Sequence, residues 1–159
     1  MDESGSIKLV VFDLDYTLWD CGTWVDCTTP PFQRDDDGRI TDQAGNHCRL
    51  YPDVMAILDQ LAEKEVPLAL ASRTHDPEAA NALLELLGIR DRFRYQQIYP
   101  GNKLVHFELL QRETGFAYDE MVFFDDEMRN IRDTLSIGVR AVHVPAGLNG
   151  SLVESVLAV

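Results

Sequence analysis

The sequence predicts a single doubly wound α/β domain built on a parallel sheet, and three observations carry that prediction. Five short apolar runs recur along 159 residues, most of them ending at polar residues. Segments with helical apolar spacing separate the runs. The length suits one domain, large enough to bury roughly 70% of its unfolded surface.

The runs are Ile7 to Phe12, leading into Asp13; Val66 to Ala71, leading into Ser72; a weaker Tyr95 to Tyr99, before Pro100 and Gly101; Met121 to Phe124, leading into Asp125; and Val139 to Val144. Near-continuous apolar runs of this length suit strands buried on both faces, as in a parallel sheet. Between the first two, Val54, Ile57, Leu58 and Leu61 follow helical spacing, and Pro52 suits a first helical turn. Asp76-Pro77-Glu78 opens a second helix, with Ala80, Leu83, Leu84 and Leu87 on its apolar face and Gly88 as its stop. Leu104, Phe107 and Leu110 mark a third. Met128, Ile131 and Leu135 mark a fourth that ends near Gly138, and a short fifth runs through Leu152, Val156 and Leu157. Strand and helix alternate, as doubly wound folds require. There is no internal repeat, low-complexity tract or interdomain linker.

Residues 19–51 break the alternation. They lack helical periodicity and carry turn signals at Asp37-Gly38 and Ala44-Gly45, with Arg39 to Thr41 and His47 to Leu50 as short strands. A structureless loop of this length inside a compact domain is uncommon, so a small β flap over the end of the first strand is expected. Once the core elements are assigned, too little chain remains for a full cap domain.

Composition narrows the possibilities. A formal net charge of -13 repels a nucleic-acid backbone, which argues against DNA or RNA binding. No apolar run approaches the ~20 residues that span a bilayer, and Met1 to Ser6 lacks the basic and apolar parts of a signal peptide. A cytoplasmic address is the resulting expectation. Cys21, Cys27 and Cys48 are odd in number and sparse, so reduced thiols are expected rather than a disulfide framework. Their spacing, with His47 beside Cys48, matches no tight structural zinc pattern.

In open α/β sheets ligands bind outside the carboxyl ends of the strands. The residues following the predicted strands are Asp13, Asp15 and Thr17; Ser72, Arg73 and Thr74; Lys103; and Asp125, Asp126 and Glu127. Carboxylates of this kind hold a hard divalent cation, while hydroxyls, Arg and Lys hold a phosphate. Singly, each is an ordinary loop or cap residue; together and in this order they describe a site.

The string VVFDLDYTL (residues 10–18) resembles the first motif of haloacid dehalogenase-type phosphatases, an apolar run followed by DxDxT. Ser72 ends a strand as in the second motif, Lys103 opens a helix as in the third, and Asp125-Asp126 ends a strand as in the acidic fourth. The chain is also closely similar, over nearly its whole length, to the magnesium-dependent phosphatase subfamily. That similarity rests on DLDYTLW (13–19), WVD (24–26), PPF (30–32), ASRT (71–74), IYPG-x-K (98–103) and VFFDDE (122–127).

The resemblance implies a phosphoric monoester hydrolase in which Asp13 attacks phosphorus to give an aspartyl-phosphate and Asp15 serves as general acid, then base. A spacing of two along an extended chain points both carboxylates the same way. Carboxylates this close resist joint ionisation without a cation, and magnesium suits such a site. Asp13 and one of Asp125 and Asp126 are the expected side-chain ligands, either of the pair being allowed by the sequence. The resemblance implies Asp126 for direct ligation with Asp125 in support, and adds the backbone carbonyl of Asp15. Phosphate donors are expected from Ser72, Lys103 and the amides of Leu14 and Asp15; Arg73 is expected to bind the phosphate or a second anionic part of the substrate, and Thr17 to brace the first loop.

The resembled subfamily is associated with phosphotyrosine and with phosphorylated sugars on amines, and an uncapped site admits a phosphoprotein. Tyr16, Trp19, Trp24 and Phe32 lie near the first motif. Packing of the flap is expected for Trp19 and Phe32, and the resemblance implies substrate contact for Trp24. Two other readings remain open. DLDxTLW also resembles glyceryl-loading enzymes of polyketide assembly, in which Cys21 or Cys27 would be a thiol nucleophile. A receiver-like phospho-module shares the acidic cluster, hydroxyl and lysine, but Asp15 supplies an acid/base that a stable phospho-switch should lack.

Overall fold

The computed structural model describes residues 6–21 and 30–157. Five parallel strands form the main sheet: β1 (Leu9–Phe12), β6 (Leu68–Ser72), β7 (Tyr95–Ile98), β8 (Met121–Asp125) and β9 (Arg140–His143). Their spatial order is β7-β6-β1-β8-β9, with β1 at the centre. Val10 pairs with Leu68 on one side and Val122 on the other.

The apolar runs are continuous because each face of the sheet meets its own core. Val10 and Phe12 join Leu58, Leu61, Leu70, Leu83 and Phe124 on one face. Leu9 and Val11 join Ala69, Phe107, Leu110 and Phe123 on the other. Alternate side chains of one strand thus enter two cores, as the period of two dictates.

Helices α1 (Val54–Glu63) and α2 (Pro77–Leu86) cover the first face, and α3 (Lys103–Thr114) covers the second. Helix α2 begins as expected: Asp76 accepts a hydrogen bond from the Ala79 N–H at 3.1 Å, and Pro77 opens the first turn. Helix α1 starts one residue after Asp53, so Pro52 precedes its cap instead of sitting in its first turn. The Asp53 carboxylate accepts instead from Gly150 N–H at 2.9 Å, tying α1 to α5 (Gly150–Val156).

Helix α4 (Met128–Leu135) departs from its expected apolar face. Ile131 is buried, but Met128 and Leu135 are 42% and 52% exposed. The buried face is Asn130, Ile131 and Thr134, its polar members satisfied by Asp125 and by carbonyls of the helix itself.

The expected flap is present as a four-stranded antiparallel sheet, β2 (Trp19–Asp20), β5 (His47–Leu50), β4 (Ile40–Thr41) and β3 (Gln33–Arg34) in spatial order. The Asp37-Gly38 turn is held by the Asp35 carboxylate, which accepts from Asp37 N–H at 3.0 Å and Arg39 N–H at 2.9 Å. Trp19 is buried and Phe32 packs against the main core, as expected of both.

The expectation of reduced thiols needs correction. Cys21 is disulfide-bonded. Sparse cysteines argue against a framework of bridges, but not against a single one. Cys48 is free and buried, and burial, helped by Asp42, pushes its thiol up to about 12. Trp24 and Cys27 lie outside the described residues. Among the described residues, no helix is long and apolar enough to cross a membrane.

Candidate active site

The parallel sheet delivers its polar strand ends to one place. Its strands run outward from β1 in two directions, toward β7 and toward β9, so the crevice of an open α/β sheet falls at the carboxyl end of β1. Asp13 emerges there, its N–H donating to the Phe124 carbonyl at 3.0 Å. Its carboxylate accepts from Lys103 Nζ at 3.1 Å and from Thr17 Oγ1 at 3.2 Å. Thr17 therefore braces the first loop through Asp13, and its own carbonyl accepts from Leu148 N–H at 2.9 Å.

Lys103 is the first residue of α3, whose start is fixed by the Asn102 side chain accepting from Leu104 N–H at 2.7 Å. Its ammonium is wholly buried and also meets the Ala71 carbonyl and Asp125 Oδ2, the latter at 3.2 Å. Burial alone would lower its pKa, but Asp13 and Asp125 outweigh that and raise it, so the ammonium stays charged. One cation thus joins β1, β6 and β8.

Asp125 has 0% exposure, and its carboxylate accepts from Glu127 N–H at 2.8 Å and Asn130 Nδ2 at 3.0 Å. Asp13, Asp125 and Asp126 each offer an oxygen within 4.8 Å of the others. Burial first, then the Asp13 charge, pushes Asp125 up to about 6 and Asp126 up to about 9. Three crowded carboxylates that resist joint ionisation fit a hard divalent cation, which would favour their charged forms. No histidine or cysteine joins this group among the described residues.

Beside the carboxylates lies a small cleft of about 40 Å³, lined by Asp13, Asp15, Tyr16, Ser72, Arg73, Thr74, Asp126, Glu127 and Asn130. Ser72 Oγ accepts from Thr74 N–H at 3.2 Å, a bond that does not consume the hydroxyl proton. Arg73 donates from Nη1 to Asn130 Oδ1 at 3.1 Å, while its buried Nε has no hydrogen-bond partner among the described residues. Tyr16 holds φ at 63°, a left-handed conformation that a bulky residue adopts only under strain. Leu14 is buried in the core, and its carbonyl accepts from Thr17 and Leu18 N–H, closing the loop on itself.

Three contributors escape a reading of the sequence. Trp19, expected only to pack, donates Nε1–H to Asp15 Oδ1 at 3.0 Å. Asn130 bridges Arg73 and Asp125. His106 is fully buried, stacks on Tyr99 at 4.3 Å, and presents Nε2 to the Ser72 and Tyr99 carbonyls, both at 2.9 Å. Burial lowers its pKa, and with Nδ1 at the Asn102 carbonyl, 3.0 Å away, the ring ties the end of β6 to the loop that precedes Lys103. Its position three residues after Lys103, on the same face of α3, was the available signal.

The Acid Phosphatase family model matches residues 6–159. The chain belongs to that family. It is 49% identical over 143 residues to magnesium-dependent phosphatase 1 of Homo sapiens, covering 89% of this chain and 80% of that one. Among solved structures, a haloacid dehalogenase-like hydrolase of Streptococcus pneumoniae, SP0104, superposes with a TM-score of 0.65 at 14% identity, covering 95% of this chain and 91% of that one. The N-terminal part of BF1531 from Bacteroides fragilis, containing a phosphatase domain complexed with Mg, gives 0.65 at 19% identity over 91% of this chain. The chain spans 38% of that longer protein. The expected doubly wound fold and haloacid dehalogenase-type relationship are both borne out, and the Acid Phosphatase family member is a phosphatase.

Proposed function

We propose that this chain is a magnesium-dependent phosphatase that hydrolyses phosphate monoesters through an aspartyl-phosphate on Asp13. The observation that supports it most is Asp13 itself, held by Lys103 and Thr17 in a cleft that Ser72 and Arg73 also line.

In this reading Lys103 and Thr17 fix the Asp13 carboxylate for in-line attack on phosphorus, breaking the bond to the leaving oxygen. Asp15, aimed by the Trp19 indole, protonates that oxygen and then takes a proton from the water that cleaves the acyl-phosphate. Ser72, Arg73 and the Leu14 and Asp15 amides receive the phosphoryl oxygens. Asp13, Asp126 and the Asp15 carbonyl would hold magnesium, which supplies positive charge to the phosphoryl group. Asp125 suits the supporting role, because its oxygens already serve Lys103, Glu127 and Asn130.

Phosphotyrosine and protein-linked sugar phosphates are the substrate classes we favour. They are consistent with residues 1–159 forming one domain, in which 19–51 is a flap rather than a cap. A cytoplasmic address, and no nucleic-acid or membrane partner, belong to the same reading. Acyl loading through Cys21 is disfavoured by its disulfide.

The test is para-nitrophenyl phosphate hydrolysis with and without magnesium, by wild type and Asp13→Asn. We expect magnesium-dependent turnover, reduced by at least about 10³-fold in the variant. Turnover unaffected by Asp13→Asn would remove the aspartyl-phosphate route.

A further inference from the structure

We propose that Asn130 is a positioning residue for phosphate binding: it locks the Arg73 guanidinium toward the cleft by tethering it to the buried Asp125 carboxylate. The inference rests on the reading of Arg73 as a phosphate donor.

Asn130 lies in the first turn of α4, five residues after Asp125, and is 3% exposed. Its amide is used from both ends. Nδ2 donates to Asp125 Oδ2 at 3.0 Å, and Oδ1 accepts from Arg73 Nη1 at 3.1 Å. The Asn130 carbonyl accepts from Thr134 Oγ1 at 2.8 Å, which secures the turn that carries it. A neutral amide serves both neighbours: a carboxylate would accept from Arg73 but repel Asp125, and a lysine or arginine could accept from nothing.

The Arg73 side chain has several rotors and a large entropy of immobilisation. A single anchored Nη1 removes much of that freedom before a ligand arrives. Arg73 Nε is buried with no hydrogen-bond partner among the described residues, although Arg73 lines the cleft. A buried donor left this way is unfavourable, and an anionic oxygen is the partner that relieves it. The Asp125 carboxylate holds Lys103 on the same oxygen that receives Asn130, so Arg73 and the cation-binding side share one buried network.

Inorganic phosphate as a competitive inhibitor of para-nitrophenyl phosphate hydrolysis reads this directly. We expect Asn130→Ala to raise its inhibition constant about tenfold, the scale of one hydrogen bond to a charged group, with KM rising in parallel and kcat falling less. In an Arg73→Ala background the same change should matter less than about twofold, because the residue it positions is gone. Asn130→Ser, which keeps a shorter acceptor, should fall between and covers a poorly folding alanine variant. Equal weakening in both backgrounds, or a lower Tm with an unchanged inhibition constant, would overturn the proposal. If Arg73→Ala alone leaves phosphate affinity intact, the reading of Arg73 fails and the proposal fails with it.

Discussion

Every residue of β1, β6 and β8 is buried, whereas both residues of β3 are exposed and β4 and β5 each bury a single residue. The two sheets therefore treat their polar groups differently. Where buried strands end, Asp13, Ser72 and Asp125 have little water to turn to, and they are satisfied by Lys103, Thr74 and Asn130. In the flap, Asp35 and Asp42 are satisfied locally, by the amides of their own turns. The first arrangement makes a site whose members depend on each other; the second makes a cover whose parts can change independently. The flap touches the chemistry where its first strand brings Trp19 to Asp15.

The sharpest way to break this contrast is to remove the cation at the centre of the main sheet. Lys103→Met should abolish measurable turnover, with kcat down by about 10²–10³ or more. It should also cost about 3–5 kcal/mol of stability, since Asp13 and Asp125 lose a buried partner. Denaturant titration alongside steady-state kinetics checks both, and a stable, active variant would mean that the carboxylates do not depend on this ammonium.

Trp19→Phe tests where the flap meets the site. The ring still packs but no longer donates to Asp15, so kcat should fall about tenfold with the melting temperature changed by a few degrees at most. Unchanged kinetics would make Trp19 packing alone.

Asp125 and Asp126 predict a pH signature. Without added cation, the native protein keeps protons on them up to about 6 and about 9, whereas the unfolded chain releases them near 3.8. More protons are bound by the native than the unfolded state in that window, so their contribution to stability falls as pH rises through it. Thermal melts with a chelator should show this decline, and magnesium should flatten it by favouring the ionised forms. A chelated protein that gains stability across that range through these two groups would contradict the assignment.

The smallest effect belongs to the flap turn. Asp35→Ala removes acceptors from Asp37 and Arg39 at an exposed position and should alter stability within about 0.5 kcal/mol, leaving kcat unchanged. A large kinetic effect there would show that the flap sheet is coupled to the chemistry after all.

Much of this could be read before folding. The apolar runs and helical spacings located the five strands and five helices, because burial on two faces or one leaves a period in the chain. The residues after those runs named Asp13, Asp15, Ser72, Arg73, Lys103, Asp125 and Asp126, because a parallel sheet gathers its strand ends. Helix α4 misled the apolar reading: Met128 and Leu135 face solvent while Asn130 and Thr134 are buried, the first bonded to Arg73 and Asp125 and the second to carbonyls of its own helix. Chain order likewise concealed the Cys21 bridge.

The sequence by itself determined the sheet, the order of the polar strand ends and the kind of chemistry they can support, since each depends on local pattern and spacing. The tertiary structure decided how those groups are satisfied. Lys103 is shared between Asp13 and Asp125, Trp19 serves Asp15, His106 ties the end of β6 to the loop before Lys103, and Asn130 joins Arg73 to Asp125. Hydrogen bonds between side chains act over about 3 Å, and the residues that come that close lie on different elements. Only the packing of those elements brings them within reach.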